Sequence, residues 1–117
     1  MSNNIQIYHN PRCSKSRQTL AILEENGITP EIILYLENPP DTNTISTLLS
    51  KLGMSARELL RKGEDTYKEH NLKDTNLEDA YLIKKMAEFP KLIERPIVVK
   101  DDQAVLGRPP ENVKKLI

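Results

Sequence analysis

A single cysteine stands among basic residues near the start of this 117-residue chain. Cys13 lies in the sequence YHNPRCSKSR, residues 8–17. The stretch Cys-Ser-Lys-Ser retains the first thiol of a C-x-x-C redox motif and has Ser16 at the position of the resolving thiol. Because a serine cannot form a disulfide, any second thiol must come from another molecule. The pattern predicts a nucleophilic cysteine that depends on an external thiol.

The overall charge and hydropathy exclude several classes of protein. The 17 Lys and Arg residues balance 17 Asp and Glu residues, so no overall field draws the chain onto nucleic acid or an anionic membrane. Apolar runs reach about five residues, against the roughly twenty that span a bilayer. The N-terminal sequence MSNNIQIYHN lacks the basic and apolar regions of a signal peptide. We therefore expect a cytoplasmic protein that binds neither nucleic acid nor membrane. We also expect it to be a monomer.

The residue inventory also argues against a resident metal or cofactor. Cys13, His9 and His70 are too few and too scattered for a structural zinc site. The four glycines form neither a dinucleotide-binding nor a phosphate-loop motif. The sequence predicts a free thiol that works without a metal or bound cofactor.

The elements around Cys13 predict a βαβ unit. IQIYH (5–9) has the pattern of a short strand, and the stretch SKSRQTLAILEEN after Pro11 favours a helix that ends at Gly27. IILYL (32–36) is a continuous apolar run, typical of a strand buried on both faces. Cys13 then lies where the first strand passes into the helix, beside backbone amides that lack intrahelical partners. Such amides favour the thiolate over the thiol.

The remainder of the chain predicts helices followed by a hairpin. One helix carries apolar residues from position 45 to 52 and ends at Gly53, and Ser55-x-x-Glu58 and Thr75-x-x-Glu78 each resemble a capping box that opens another helix. PIVVK and AVLG, joined by residues 101–103, predict a hairpin, and a last helix follows Pro109-Pro110. The expected fold is a single α/β domain over residues 1–117. Its four-stranded mixed sheet is thioredoxin-like, βαβ then ββα, with a helical insertion between strands 2 and 3.

Four separated stretches of the chain resemble one known family. They are YHNPRCSKSR (8–17), LLRK (59–62), LIERPIVV (92–99) and LGRPPE (106–111). In order and spacing they are similar to the glutaredoxin-linked arsenate reductases. The resemblance implies a thioredoxin-like fold, a Cys13 that attacks arsenate, and three arginines that hold the oxyanion: Arg61, Arg95 and Arg108.

The chemistry of arsenate fits these residue types. A thiolate that approaches a tetrahedral oxyanion meets like-charge repulsion, which must be cancelled locally. Arginine stays charged and can contact two oxygens at once, which lysine cannot do.

Several other residues are expected to support the reaction. His9 matches a family histidine thought to favour the thiolate, although a histidine at this position could equally be a core residue satisfied by the backbone. Among the basic neighbours of Cys13 we expect Arg12 to contribute, and we assign Ser16 only hydrogen bonding. By resemblance, the bond before Pro96 is predicted to be cis and to direct Arg95 toward the thiol.

The resemblance also implies the partners of the reaction. Arsenate would be the substrate, glutathione the co-substrate and glutaredoxin the final reductant. The chain ends about nine residues after Arg108, as in the short members of the family.

Three other classes of protein share some of these sequence features. A phosphatase-like arsenate reductase is excluded because Thr19 stands where the arginine of its phosphate loop would be. An Spx-type regulator that binds RNA polymerase shares the expected fold, but it does not need Arg61 and Arg108. A general glutathione-dependent oxidoreductase that merely tolerates arsenate is not separable from the main interpretation by sequence.

Overall fold

The computed structural model describes residues 5–117, which form two compact units. The first unit joins the residues up to Asn38 with Arg95–Ile117, and the second is Pro39–Glu94. The elements of the first unit are β1 (Ile5–Tyr8), α1 (Ser14–Glu25), β2 (Glu31–Ile33), β3 (Ile97–Lys100), β4 (Gln103–Leu106) and a 3₁₀ helix (Pro110–Leu116). Those of the second are α2 (Thr42–Leu52), α3 (Ala56–Leu59), α4 (Asp65–Glu69), α5 (Asp79–Glu88) and a 3₁₀ helix (Pro90–Leu92).

The first unit contains the predicted mixed sheet. Its strand order is β2-β1-β3-β4, with β1 parallel to β2 and antiparallel to β3, and β3 antiparallel to β4. Ile7 is opposite both Ile32 and Val98, which fixes the register at the centre of the sheet. The fold is therefore α/β with a thioredoxin-like four-stranded sheet, as the sequence predicts.

The core of the first unit lies between the sheet, α1 and the C-terminal 3₁₀ helix. Alternate residues of β1 point to this core, and Leu23 of α1 is completely buried against them. The C-terminal segment is a 3₁₀ helix rather than the predicted α-helix, but it contributes apolar side chains to the same cluster. The buried members of the cluster are Ile5, Ile7, Leu23, Val98, Val113 and Leu116.

The prediction for the second strand was wrong in length and in burial. β2 covers three residues, and residues 35–37 after it form a turn. β2 is an edge strand, so Ile32 is 47% exposed instead of buried on both faces. Of the run 32–36, only Tyr35 is fully buried. An apolar run cannot by itself distinguish a central strand from an edge strand that leads into a turn.

The second unit is the helical insertion between the second and third strands. Asp41 is the N-cap residue of α2 and its side chain accepts the Thr44 N–H at 2.8 Å, while Gly53, with a φ of +68°, is the C-cap residue. The capping box of Ser55 and Glu58 is present at the start of α3. The buried side chains of this unit come from every helix and include Ile45, Leu48, Leu59, Tyr67, Leu82, Met86 and Leu92.

The second predicted capping box is absent. α5 begins at Asp79 with Glu78 as its N-cap residue, and no side chain caps it. Upstream, the carboxylate of Asp74 accepts the Asn76 N–H at 2.9 Å and organises a turn instead. A Thr-x-x-Glu spacing is only a weak signal when a neighbouring Asp can form a competing local bond. Within residues 5–117, no helix has the length and apolar character needed to span a membrane.

Candidate active site

Cys13 is the N-cap residue of α1, at the end of the turn that follows β1. Its backbone is extended, with φ −96° and ψ 123°. The Cys13 N–H donates to the Asn10 carbonyl at 3.0 Å, and the Cys13 carbonyl accepts the Arg17 N–H at 3.0 Å, which starts the helix. The thiol is free and half-buried. The sequence prediction of a cysteine at the strand-to-helix junction is confirmed.

The surroundings of Cys13 favour its thiolate. Burial by itself raises the pKa of the thiol, but the backbone amide of Ser16, the Arg95 guanidinium and the backbone amide of Lys15 together lower it below the ordinary value. These amides belong to the first turn of α1 and carry the partial positive charge of the helix start. A lowered pKa at a half-buried thiol is the property expected of a nucleophilic cysteine.

Arg95 is the arginine that the structure places beside the thiol. Burial lowers its pKa, but hydrogen bonding to Cys13 and the nearby Tyr35 hydroxyl more than offset this, so the net change is upward. Tyr35 is almost completely buried. The sequence pattern predicted that it would lie in the second strand. The sequence interpretation missed it as a neighbour of Arg95, because a turn after a short strand brings it there.

A buried polar network holds the turn that precedes Cys13. Ser16 is fully buried, and its Oγ accepts the Asn10 N–H at 3.1 Å and lies 2.6 Å from Nδ1 of His9. The Asn10 side chain accepts the Arg12 N–H at 3.0 Å. Ser16 therefore links the helix to the turn and fixes the residues that lead to the thiol. Sequence reasoning did not identify Asn10, although an Asn just before a proline is a common turn signal.

His9 is neutral in this network. It is only 6% exposed, and burial, followed by the charge of Arg17, lowers its pKa. Ser16 Oγ accepts the Asn10 N–H and also lies within hydrogen-bonding distance of Nδ1 of the His9 ring. The His9 ring is thus hydrogen-bonded to Ser16. The predicted effect of His9 on the Cys13 thiolate stays a prediction.

Pro96 and Arg108 are linked through Gly107. The Arg95–Pro96 bond is cis, as predicted, and the Arg108–Pro109 bond is cis as well. The Gly107 N–H donates to the Pro96 carbonyl at 2.9 Å, and its carbonyl accepts a bond from Thr19 of α1 at 3.3 Å. A Cβ added at Gly107 would lie 2.5 Å from Thr19 Oγ1 and 2.7 Å from Pro96 Cγ. Only glycine fits between these two side chains, and Arg108, which follows it, is exposed.

Arg61 belongs to the second unit, where its described partners are acidic. Nη1 of Arg61 lies 3.2 Å from Glu94 Oε1, and Nε lies 4.0 Å from Glu64 Oε2. The Arg61 N–H also donates to the Leu92 carbonyl at 2.8 Å, which ties the LLRK segment to the residues before β3. The three predicted arginines thus have different surroundings. Arg95 lies beside the thiol, Arg108 is an exposed residue that follows Gly107, and Arg61 forms an ion pair with Glu94.

A groove lies alongside the turn before Cys13, and we call it the β2 groove. Its volume is about 280 Å³. Charged, polar and apolar side chains all contribute to it, and Arg12 is the basic residue among them. The lining residues are His9, Asn10, Pro11, Arg12, Leu34, Leu36 and Glu37. Across residues 5–117, no three His, Cys, Asp or Glu side chains are grouped so as to hold a metal ion.

The site and the fold together define a thioredoxin-like protein with one free cysteine, whose surroundings favour the thiolate, and with Ser16 at the position of a resolving thiol. Residues 8–116 match the ArsC family. The chain is 46% identical to the arsenate reductase of Neisseria meningitidis serogroup A, with 97% of each sequence covered. It is 44% identical to an arsenate reductase of Escherichia coli, of which it covers 82%. The chain therefore belongs to the ArsC family.

A solved structure agrees with this assignment over the whole chain. The structure of the arsenate reductase from Vibrio cholerae matches with a TM-score of 0.97 at 50% sequence identity, and the match covers 100% of both chains.

Proposed function

We propose that this protein is a glutathione- and glutaredoxin-dependent arsenate reductase that acts through a thiol–arsenate adduct on Cys13. The observation that carries the proposal is the pairing of Cys13 with Arg95 at the start of α1, where the guanidinium favours the thiolate. We propose that the same guanidinium binds the incoming oxyanion. Membership of the ArsC family and the names of its relatives support arsenate as the substrate.

The first step is nucleophilic attack by Cys13. The thiolate attacks arsenic and displaces one hydroxyl group, which leaves as water after taking up a proton, to form a Cys13–S–As(V) adduct. Arg95 offsets the charge that develops on the arsenate oxygens, and Arg108 is the second arginine proposed to bind them. Arg61 is retained in this proposal on the resemblance alone.

The electrons for reduction come from two external thiols. A glutathione thiol displaces a second hydroxyl group as water and forms a bond from its sulfur to arsenic. A glutaredoxin thiolate then attacks the glutathione sulfur, the S–As bond breaks, and its electron pair stays on arsenic, which becomes As(III). The products are a glutaredoxin–glutathione mixed disulfide and, after water displaces Cys13, arsenite. We propose that the protein does this in the cytoplasm, without a bound cofactor.

The choice of reductant tests this proposal. Purified protein, arsenate, glutathione and glutaredoxin should give sustained arsenite release, whereas thioredoxin alone should support little, because it acts on existing disulfides. Without any external thiol, intact-protein mass spectrometry should find at most an arsenic adduct on residue 13. Sustained arsenite production with thioredoxin as the only reductant would overturn the mechanism.

Disulfide substrates provide the comparison with a general oxidoreductase. An arsenate reductase should turn over arsenate faster than a glutathione mixed disulfide under the same conditions. The reverse order would favour the general oxidoreductase over the proposed function.

A further inference from the structure

The β2 groove has features of a binding site next to the reactive cysteine. Arg12, one of the lining residues, directly precedes Cys13 in the chain, so the lining comes within one residue of the reactive cysteine in the sequence. Its volume of about 280 Å³ lies just below the roughly 300 Å³ at which sites for whole small molecules begin. The groove is therefore suited to one end of a ligand whose remainder extends beyond it.

The groove is lined by one positively charged and one negatively charged side chain, which do not form an ion pair with each other. Arg12 and Glu37 are both exposed and both line the groove. Within residues 5–117, neither takes part in an ion pair shorter than 4.0 Å. A cation and an anion that share a groove without pairing can bind a ligand that carries both charges. An α-amino acid group, with its ammonium and carboxylate on one carbon, is such a ligand.

The remaining lining adds a histidine ring nitrogen and apolar surface. Nδ1 of His9 lies against Ser16 Oγ, so Nε2 is the ring nitrogen left for a ligand. Leu34, Leu36 and Pro11 supply apolar surface for a short methylene chain. A few polar groups in an apolar lining is the usual composition of a small-molecule site.

Building on the proposed function, we propose that the β2 groove binds the γ-glutamyl end of glutathione. The α-ammonium group contacts Glu37, the α-carboxylate contacts Arg12, and the side-chain methylenes lie on the leucines. The thiol belongs to the next residue of the tripeptide, which extends from the groove toward Cys13. The groove thereby selects glutathione over thiols that lack an amino acid group.

Binding of an unreactive analogue tests this site without any need for arsenate. S-methylglutathione, titrated into ¹⁵N-labelled protein, should shift the amide signals of residues 9–12 and 34–37. Glu37→Gln should weaken that binding about fivefold, the effect of losing an exposed charge pair worth up to ~1 kcal/mol. Glu24→Gln, an exposed substitution on α1 outside the groove, is the matched control and should bind like the wild type.

A kinetic measurement separates this inference from the proposed function. Glu37→Gln should lower the ratio of glutathione-supported to 2-mercaptoethanol-supported arsenite release by a similar factor, and Glu24→Gln should not. If S-methylglutathione shifts amides elsewhere, or if both variants bind it equally, the groove is not the glutathione site. If the wild type reduces no arsenate with any thiol while S-methylglutathione still shifts the groove amides, the proposed function fails and the glutathione site stands.

Discussion

Arg95 and Arg61 are two arginines of the chain in contrasting electrostatic settings. Arg95, in the first unit, has the Cys13 thiol and the Tyr35 hydroxyl as neighbours, and its pKa rises despite its burial. Arg61, in the second unit, is paired with Glu94 at 3.2 Å and approaches Glu64 at 4.0 Å. The charge of Arg95 thus acts on the Cys13 thiol, whereas that of Arg61 is already balanced by carboxylates.

This difference has a consequence for binding an oxyanion. An anion that binds Arg95 shares the guanidinium with the Cys13 thiolate, and the several donors and positive charge of the guanidinium offset the repulsion between the two anions. An anion that binds Arg61 must compete with Glu94, so part of its binding energy is lost in displacing that carboxylate. The two arginines should therefore contribute unequally even if both contact arsenate.

The largest expected effect is that of removing the nucleophile itself. Cys13→Ser should abolish arsenite release with glutathione and glutaredoxin, because an alcohol at ordinary pKa is a far weaker nucleophile than a thiolate. The arsenic adduct detected by mass spectrometry should disappear as well. Arsenite production that persists in this variant would show that Arg95 does not face the reactive group.

The next effect concerns the guanidinium of Arg95. Arg95→Lys keeps the charge but loses the planar fork, and the loss of one charged hydrogen bond should lower kcat/KM for arsenate about 10- to 150-fold, or ~1.5–3 kcal/mol. Thermal unfolding should show that the variant remains folded. A double variant, Arg95→Ala with Arg108→Ala, that still reduces arsenate at the wild-type rate would place the anion site elsewhere.

The pH dependence of Cys13 tests the same contact directly. Since the thiolate is the reacting form, the rate of alkylation by iodoacetamide should fall as the pH drops through the lowered pKa of Cys13. Arg95→Gln removes one of the causes of that lowering, so the whole profile should move to higher pH. Thiolate absorbance near 240 nm gives an independent titration. A wild-type midpoint at or above the value of a free cysteine, about 8.5, would refute the nucleophile assignment.

Arg61 and its carboxylate partner should give a smaller effect. Arg61→Ala should raise the KM for arsenate by about two- to fivefold, the range of a partly exposed charge contact. Glu94→Gln should lower that KM by a similar factor, because the carboxylate no longer competes for the guanidinium. Opposite changes in the two variants would support a role in anion binding. Unchanged KM values in both would restrict Arg61 to a structural ion pair.

The smallest effect on turnover is expected at Ser16. Ser16→Ala should retain most of the activity, because Ser16 does not react, but it leaves the Asn10 N–H and the His9 ring without a buried partner. The free energy of unfolding should fall by about 1–3 kcal/mol for such a loss. Chemical denaturation measures this cost, and arsenite release measures the turnover. A large loss of activity at unchanged stability would assign Ser16 a direct part in the chemistry.

Local features of the sequence were sufficient for much of the fold. Gly53 ends a helix with positive φ, and Ser55 and Glu58 form a capping box, each where its own residues predicted it. The predicted hairpin is present as well, with a connection of residues 101–102 instead of 101–103, because Gln103 pairs with Lys100. The position of Cys13 at the start of α1 also followed from a strand pattern, a Pro turn and a helix pattern in succession. These features depend on backbone bonds and on contacts between residues close in the sequence, so the sequence contains most of the information that decides them.

Other features depended on contacts between residues far apart in the chain. The edge position of β2 results from pairing on one side only, and an apolar run does not show how many partners a strand has. Tyr35 next to Arg95, and Thr19 next to Gly107, are contacts between residues separated by more than 50 positions.

The lone thiol, its basic neighbours and the candidate arginines were thus determined by the sequence alone. The tertiary structure decided which arginine meets the thiol and which one is paired with a carboxylate. The physical reason is that the effect of a charge depends on the distance and exposure of its neighbours, which are set only when the strands and helices pack.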